Sequence, residues 1–133
     1  MTNEELEQAI IAVMVFDGWE LKSANGVSYY ENSEGLLIFE YEILAKYPIH
    51  EDWRLLHPVW EKFRDITFNY PKKYSELENL NVYHSNIRYN ITDGTPLEAF
   101  NALHSAIVWF NEINKQQWKT DMTIMTIGLK DIE

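Results

Sequence analysis

The sequence predicts an α+β domain in which three helices pack on an antiparallel sheet of about four to five strands. Three observations carry that expectation. Helix-start signatures stand at Thr2 and Thr95, strand-like runs are joined by the turns Asn25-Gly26 and Asn32-Ser33-Glu34-Gly35, and apolar stripes of helical period flank those runs. With 133 residues, 46% hydrophobic and 14% aromatic, the chain suits one domain over 1–133 with a single core.

In chain order, Thr2-Asn3-Glu4-Glu5 has the form of a capping box, in which Thr2 accepts from the amide of Glu5 while Glu5 reaches back. Leu6, Ile10, Val13 and Met14 follow at helical spacing and Gly18 is the stop, which gives a first helix over residues 3–16. Trp19 to Lys22, the Asn25-Gly26 turn and Val27 to Tyr30 read as a hairpin, because Asn-Gly tolerates positive φ at both turn positions. After the turn at 32–35, Leu37, Phe39, Tyr41 and Ile43 alternate with Ile38, Glu40 and Glu42. That period of two predicts a meander from 19 to 43 with one face buried.

Trp53, Leu56, Trp60 and Phe63 form a second helical stripe. Pro58 lies inside it, so this helix is either kinked or begins near Pro58. A polar loop with Asn69, Pro71, Lys72 and Lys73 follows, and Asn81 to Ile91 reads as one or two strands. Thr95-Pro96-Leu97-Glu98 combines an N-cap, a proline at the first helical position and a glutamate at the third. Leu97, Phe100, Leu103, Ile107, Phe110 and Ile113 then extend a long helix to about Asn114. Residues 116–133 read as a tail or an added strand, with Met122 to Leu129 as the strand.

The net charge of minus ten is uneven: residues 1–52 hold eleven acids against two bases, Lys22 and Lys46. A field of this sign repels phosphate, so direct binding of nucleic acid or of an anionic membrane is not expected, whereas a basic partner surface is attracted. Solubility alone also accounts for such charge. Cysteine is absent, which removes disulfides, thiolate nucleophiles and cysteine-based zinc sites. No run of 18 apolar residues occurs, and Met1 to Glu5 lacks a basic n-region, so a cytoplasmic location is expected.

Two segments resemble a family of short uncharacterised proteins found in phages, prophages and Bacteroidetes genomes. Asp52-Trp53-Arg54-Leu55-Leu56-His57-Pro58-Val59-Trp60-Glu61-Lys62-Phe63 is similar to a run of the type Ser-Trp-Asp-x-Leu-Met-Pro-Val-Val-Glu-Lys-Ile. Ile107-Val108-Trp109-Phe110-Asn111-Glu112 is similar to a C-terminal Ile-x-Trp-Tyr-Asn-Glu helix. The resemblance covers about half the chain, and this chain continues past the second motif through Met122-Thr123-Ile124-Met125. It implies a mobile-element origin and no particular chemistry. Small phage proteins often block host factors, which is analogy.

The candidates for chemistry are few. His50, His57, His84 and His104 are the general-base candidates, but His50 and His57 are seven apart, about 10 Å on one helix and too far for one metal. His104 and Ser105 diverge by about 100° on a helix. The five glycines stand singly at turns and make no phosphate loop, and Glu40 and Glu42 share one strand face without a visible partner. No catalytic residue, metal site or cofactor is therefore expected.

Trp109 falls off its helix stripe, and Trp118 with Tyr29 or Tyr30 are further candidates for exposed aromatics, the kind that favour interfaces. The expected function is a non-enzymatic, phage-type accessory protein that binds a basic host protein, in its finer form an acidic nucleic-acid mimic inhibiting a defence system. Glu31, Glu34, Glu40, Glu42, Trp109 and Trp118 are the candidate contacts. The alternatives are an oligomer sequestering a nucleotide-like signal in an aromatic pocket, with Arg88, Lys72, Lys73 or the amides after Thr95 on the phosphate, or a structural factor without a ligand.

Overall fold

Helix α1 (Asn3–Phe16) opens on the cap read from the sequence, since Thr2 Oγ1 accepts from the Glu5 amide at 3.1 Å. It closes at Gly18, whose φ of +104° lets the chain turn back. There the Gly18 amide donates to the Val15 carbonyl and the Trp19 amide to the Met14 carbonyl, which is the Schellman pattern. The structure, a computed structural model, describes residues 1–70 and 73–132, with side chains described as far as Lys115 except that of Tyr74.

The hairpin forms as expected. Strands β1 (Glu20–Ala24) and β2 (Val27–Glu31) are joined by Asn25 and Gly26 at φ of +54° and +79°, the two positive values that a type I′ turn demands. Asn32 builds the next turn, its Oδ1 accepting from the amides of Glu34 and Leu36 at 3.0 and 2.9 Å. Strand β3 (Leu37–Phe39) then pairs antiparallel with β2, giving the order β1-β2-β3.

The third strand departs from expectation in length and in face. It holds three residues, after which Glu40–Glu42 forms a 3-10 turn and Ile43–Lys46 a single helical turn, α2. The inward residue is Ile38, opposite Tyr30, while Leu37 is 55% exposed. A one-residue change of phase moves every side chain to the other face. Here the phase is set by Tyr30, which is buried and pairs with Ile38 across the turn at 32–35.

Helix α3 (Trp53–Asn69) is continuous through Pro58, capped by Asp52 accepting from the Arg54 amide at 2.9 Å. It buries Leu56, Val59, Trp60 and Phe63. His50 precedes this helix, so it does not share a helical face with His57.

The stretch Asn81 to Ile91 is not strand but part of α4 (Tyr74–Asp93). Leu80, Tyr83, His84, Ile87 and Ile91 recur at helical spacing, and this is the buried or half-buried side. Helix α5 (Pro96–Ile132) begins on the expected box: Thr95 Oγ1 accepts from the Glu98 amide at 3.2 Å, and Glu98 Oε1 accepts from the Thr95 amide and hydroxyl at 3.2 and 3.0 Å. It continues past Asn114, so Met122 to Leu129 is helical and adds no strand. Between Asn114 and Gly128 there is neither proline nor glycine, and extending an existing helix costs far less than starting a new element.

Among the described residues the fold is thus α+β as read, but with five helices and three strands where three and four to five were expected. Helix α5 is the axle, in contact with α1, α3 and α4. Ala99, Ala102 and Ala106 allow close approach along it, while Phe100, Leu103, Ile107 and Phe110 fill the spaces between. The meander closes the core beside α1 with Tyr30, Ile38 and Trp19, and Trp19 meets Tyr47 edge-on at 5.5 Å.

Candidate interaction surface

The outer face of the sheet carries aromatic rings out to solvent. Pairing places Tyr29 of β2 opposite Phe39 of β3, on the side away from Tyr30 and Ile38. Their centroids stand 6.4 Å apart, and Tyr41, 81% exposed in the middle of the 3-10 turn, stacks on Phe39 at 5.6 Å. The three rings form a short ladder with Leu36, Leu37 and Val27 exposed around it.

The carboxylates singled out from the sequence lie on β2 and in the turns that follow β2 and β3. Glu31 ends β2 and holds Lys22 across the hairpin at 2.6 Å, which raises the ammonium pKa through the hydrogen bond and the nearby negative charge. Glu34 lies in the turn at 32–35, and Glu40 and Glu42 lie at the two ends of the 3-10 turn. They do not share a strand face, because two residues on a 3-10 helix diverge by about two thirds of a turn. Among the described residues, Glu34, Glu40 and Glu42 form no ion pair.

The charge of Glu40 is registered inside the fold. Burial pushes the Tyr30 phenol above its ordinary range, and the charges of Glu40 and Glu7 push it further. These same two glutamates, with Gly26, Val27, Ser28 and Tyr41, line a recess of about 430 Å³ between α1, the hairpin tip and the 3-10 turn. A second recess, of about 330 Å³ at the Gly18 and Asn32 turns, includes Glu20, Lys22 and Glu31.

Trp109 is not part of this surface. It packs with its ring 5.0 Å from Tyr83, because α4 covers the side of α5 that would be bare if 81–91 were sheet. The Trp118 side chain lies outside the described residues. Of the sheet-face ring ladder only Tyr29 is a candidate from the sequence; the alternation that includes Phe39 and Tyr41 predicts one buried face, and no local signal separates the two phases of one alternating strand.

The histidines are placed by packing. His84 meets Thr67 Oγ1 at 2.9 Å from within a cage of Trp60 and Phe63, joining α4 to α3. Burial lowers the pKa of His104, whose ring stacks on Phe100. His50 is buried, with Nε2 at 3.3 Å from Glu51 Oε1. No group of three or more metal-ligating side chains occurs among the described residues, and no helix among them is long and apolar enough to cross a membrane. No protein-family model matches the chain, and neither the curated proteins nor the solved structures include a significant match to it.

Proposed function

We propose that this is a non-enzymatic binding protein that engages a basic surface of a host protein through the outer face of its sheet and the acidic turns beside it. The observation that supports this most directly is a solvent-facing aromatic ladder on the sheet's outer face together with Glu34, Glu40 and Glu42 in the adjoining turns, which form no ion pair among the described residues. Rings supply contact area at small entropic cost, and surrounding charge steers association and sets specificity. Charge kept only for solubility has no need of Phe39 and Tyr41 stacked in the open. In its finer form the reading is mimicry of a nucleic acid, in which Glu34, Glu40 and Glu42 stand where phosphates would and occupy the cleft of a basic nuclease of a defence system.

The test is affinity capture from host extract by the tagged protein and by a variant carrying Glu31→Lys, Glu34→Lys, Glu40→Lys and Glu42→Lys. Proteins retained by the parent at low salt should be released at high salt and should not be retained by the variant. Equal retention by both, with equal salt dependence, contradicts the reading. The sequestration of a nucleotide-like signal is favoured less. The two recesses, and a third opening of about 540 Å³ lined by Leu6, Leu44, His50, Glu51, Leu97 and Asn101, join no aromatic ring to a lysine or arginine, the pairing that base and phosphate together require.

A further inference from the structure

Strand β1 is an edge of the sheet. It pairs with β2 along one side only, and all five of its residues are exposed. In a two-residue hairpin the pair beside the turn, Ala24 with Val27, exchanges both backbone hydrogen bonds, and by alternation Lys22 with Tyr29 and Glu20 with Glu31 do the same. The N–H and C=O groups of Leu21 and Ser23 therefore point away from β2, and no turn or loop backbone group among the described residues bonds to them.

Folded proteins blunt such edges with proline, a bulge, a very short strand or a free charged side chain. β1 contains no proline, and its register with β2 runs unbroken from Glu20 to Ala24. Its one lysine, Lys22, is drawn across the hairpin to Glu31 at 2.6 Å. The opposite edge, β3, is three residues long and runs straight into the 3-10 turn.

We propose that the edge of β1 takes up an extended segment of the partner as a fourth, antiparallel strand, with aliphatic residues on one face and a basic residue on the other. The proposal rests on the basic partner inferred above and names the part of it that docks. The outward backbone groups of Leu21 and Ser23 supply the ladder. Leu21 lies on the Tyr30 side of the sheet and is 59% exposed, so an aliphatic side chain opposite it covers apolar surface left open in the free protein. On the outer side Glu20, Lys22 and Glu31 line the recess of about 330 Å³. Glu31 holds Lys22, whereas Glu20 forms no ion pair among the described residues, so the basic residue belongs opposite Glu20. A second copy of this chain would bring another net charge of minus ten to the same edge and is disfavoured by repulsion.

The probe is the end-capped peptide Val-Thr-Val-Arg-Val, which sets its central valine against Leu21 and its arginine against Glu20. One relative has glutamate in place of arginine. A second has its central valine N-methylated, which removes a ladder donor and keeps the charge. In titrations followed by NMR, the probe should slow solvent exchange of the Leu21 and Ser23 amides and bind at least tenfold more tightly than either relative. Ser23→Pro removes an outward N–H, the placement in which an edge strand tolerates proline, and should abolish binding while the cross-strand contacts of the hairpin persist. If the proline also disturbs the hairpin, the N-methyl comparison decides alone. Equal binding of the N-methylated peptide overturns strand addition and leaves the basic-partner reading standing. Equal binding of the glutamate peptide contradicts both. The proposal is also overturned if the probe does not bind, if it binds without protecting Leu21 and Ser23, or if the free protein is a dimer in which the Leu21 amide is already protected.

Discussion

Removing the Tyr47 hydroxyl gives a quantitative test of the packing between the sheet and α2. Burial pushes this phenol up from 10.0 to about 12, with the Asp17 charge adding to the effect and a hydrogen bond from Trp19 opposing it. The sign follows from linkage. In the unfolded chain the phenol loses its proton near pH 10, whereas in the folded protein it stays neutral, so its contribution is intact below pH 10 and is lost as pH rises from 10 to 12. Each unit is worth 1.36 kcal/mol, so the folded state loses about 1.4 kcal/mol by pH 11 and roughly 2.7 kcal/mol in full. The assay is urea unfolding of the parent and of Tyr47→Phe at pH 9, 10 and 11. The difference at pH 9 sets the baseline, and the comparison cancels the seven other tyrosines and the lysines. The parent should lose about 1.4 kcal/mol more than the variant between pH 9 and 11. Parallel loss in both proteins would mean that Tyr47 is open to water and that the packing of Trp19 on Tyr47 is wrong.

Thr95→Ala removes the hydroxyl that accepts from the Glu98 amide and donates to its carboxylate, and should cost about 1 kcal/mol by chemical denaturation. A cost under about 0.3 kcal/mol would show that α5 does not depend on this cap. Gly94→Ala places a methyl 2.8 Å from the Asn90 carbonyl oxygen and 3.2 Å from its Cα, and should cost about 1–2 kcal/mol after the entropy gained by losing a glycine. A stabilised variant would contradict the close approach at the end of α4. Asp17 has its pKa raised by burial, in spite of Lys62 beside it at 3.5 Å. Its carboxylate is therefore a destabilising charge that appears as pH rises through and above the ordinary carboxylate range. Asp17→Asn should leave Lys62 its bond to the Asp17 backbone carbonyl and gain stability relative to the parent as pH rises from 3 to 7; a relative loss over that interval would contradict it.

What the sequence made legible was local. The N-cap at Thr2, the capping box at Thr95, the Asn25-Gly26 hairpin and the turn at residues 32–35 depend on residues within a few positions, and each formed. What failed was decided at a distance. Val82, Tyr83, Tyr89 and Ile91 have strand propensity, yet Leu80, Ile87 and their half-buried neighbours form a helical stripe that α5 covers. The alternation from Leu37 to Ile43 fits either face of a sheet, and the burial of Tyr30 chose between them. The same choice put Phe39 outside, beside the exposed Tyr41, and made the candidate surface. The carboxylates were visible as charge in the sequence, but their places around a ring ladder were not. Neither was the His50 cavity, whose walls come from four separate segments.

The outer sheet face is the proposed contact surface. The most direct measurement is amide hydrogen exchange on the protein alone and in complex with the protein that it retains from host extract. Exchange should slow over Tyr29 to Glu42, with α4 unchanged. Protection concentrated on α3 or α4, with Tyr29 to Glu42 exchanging as in the free protein, would contradict it.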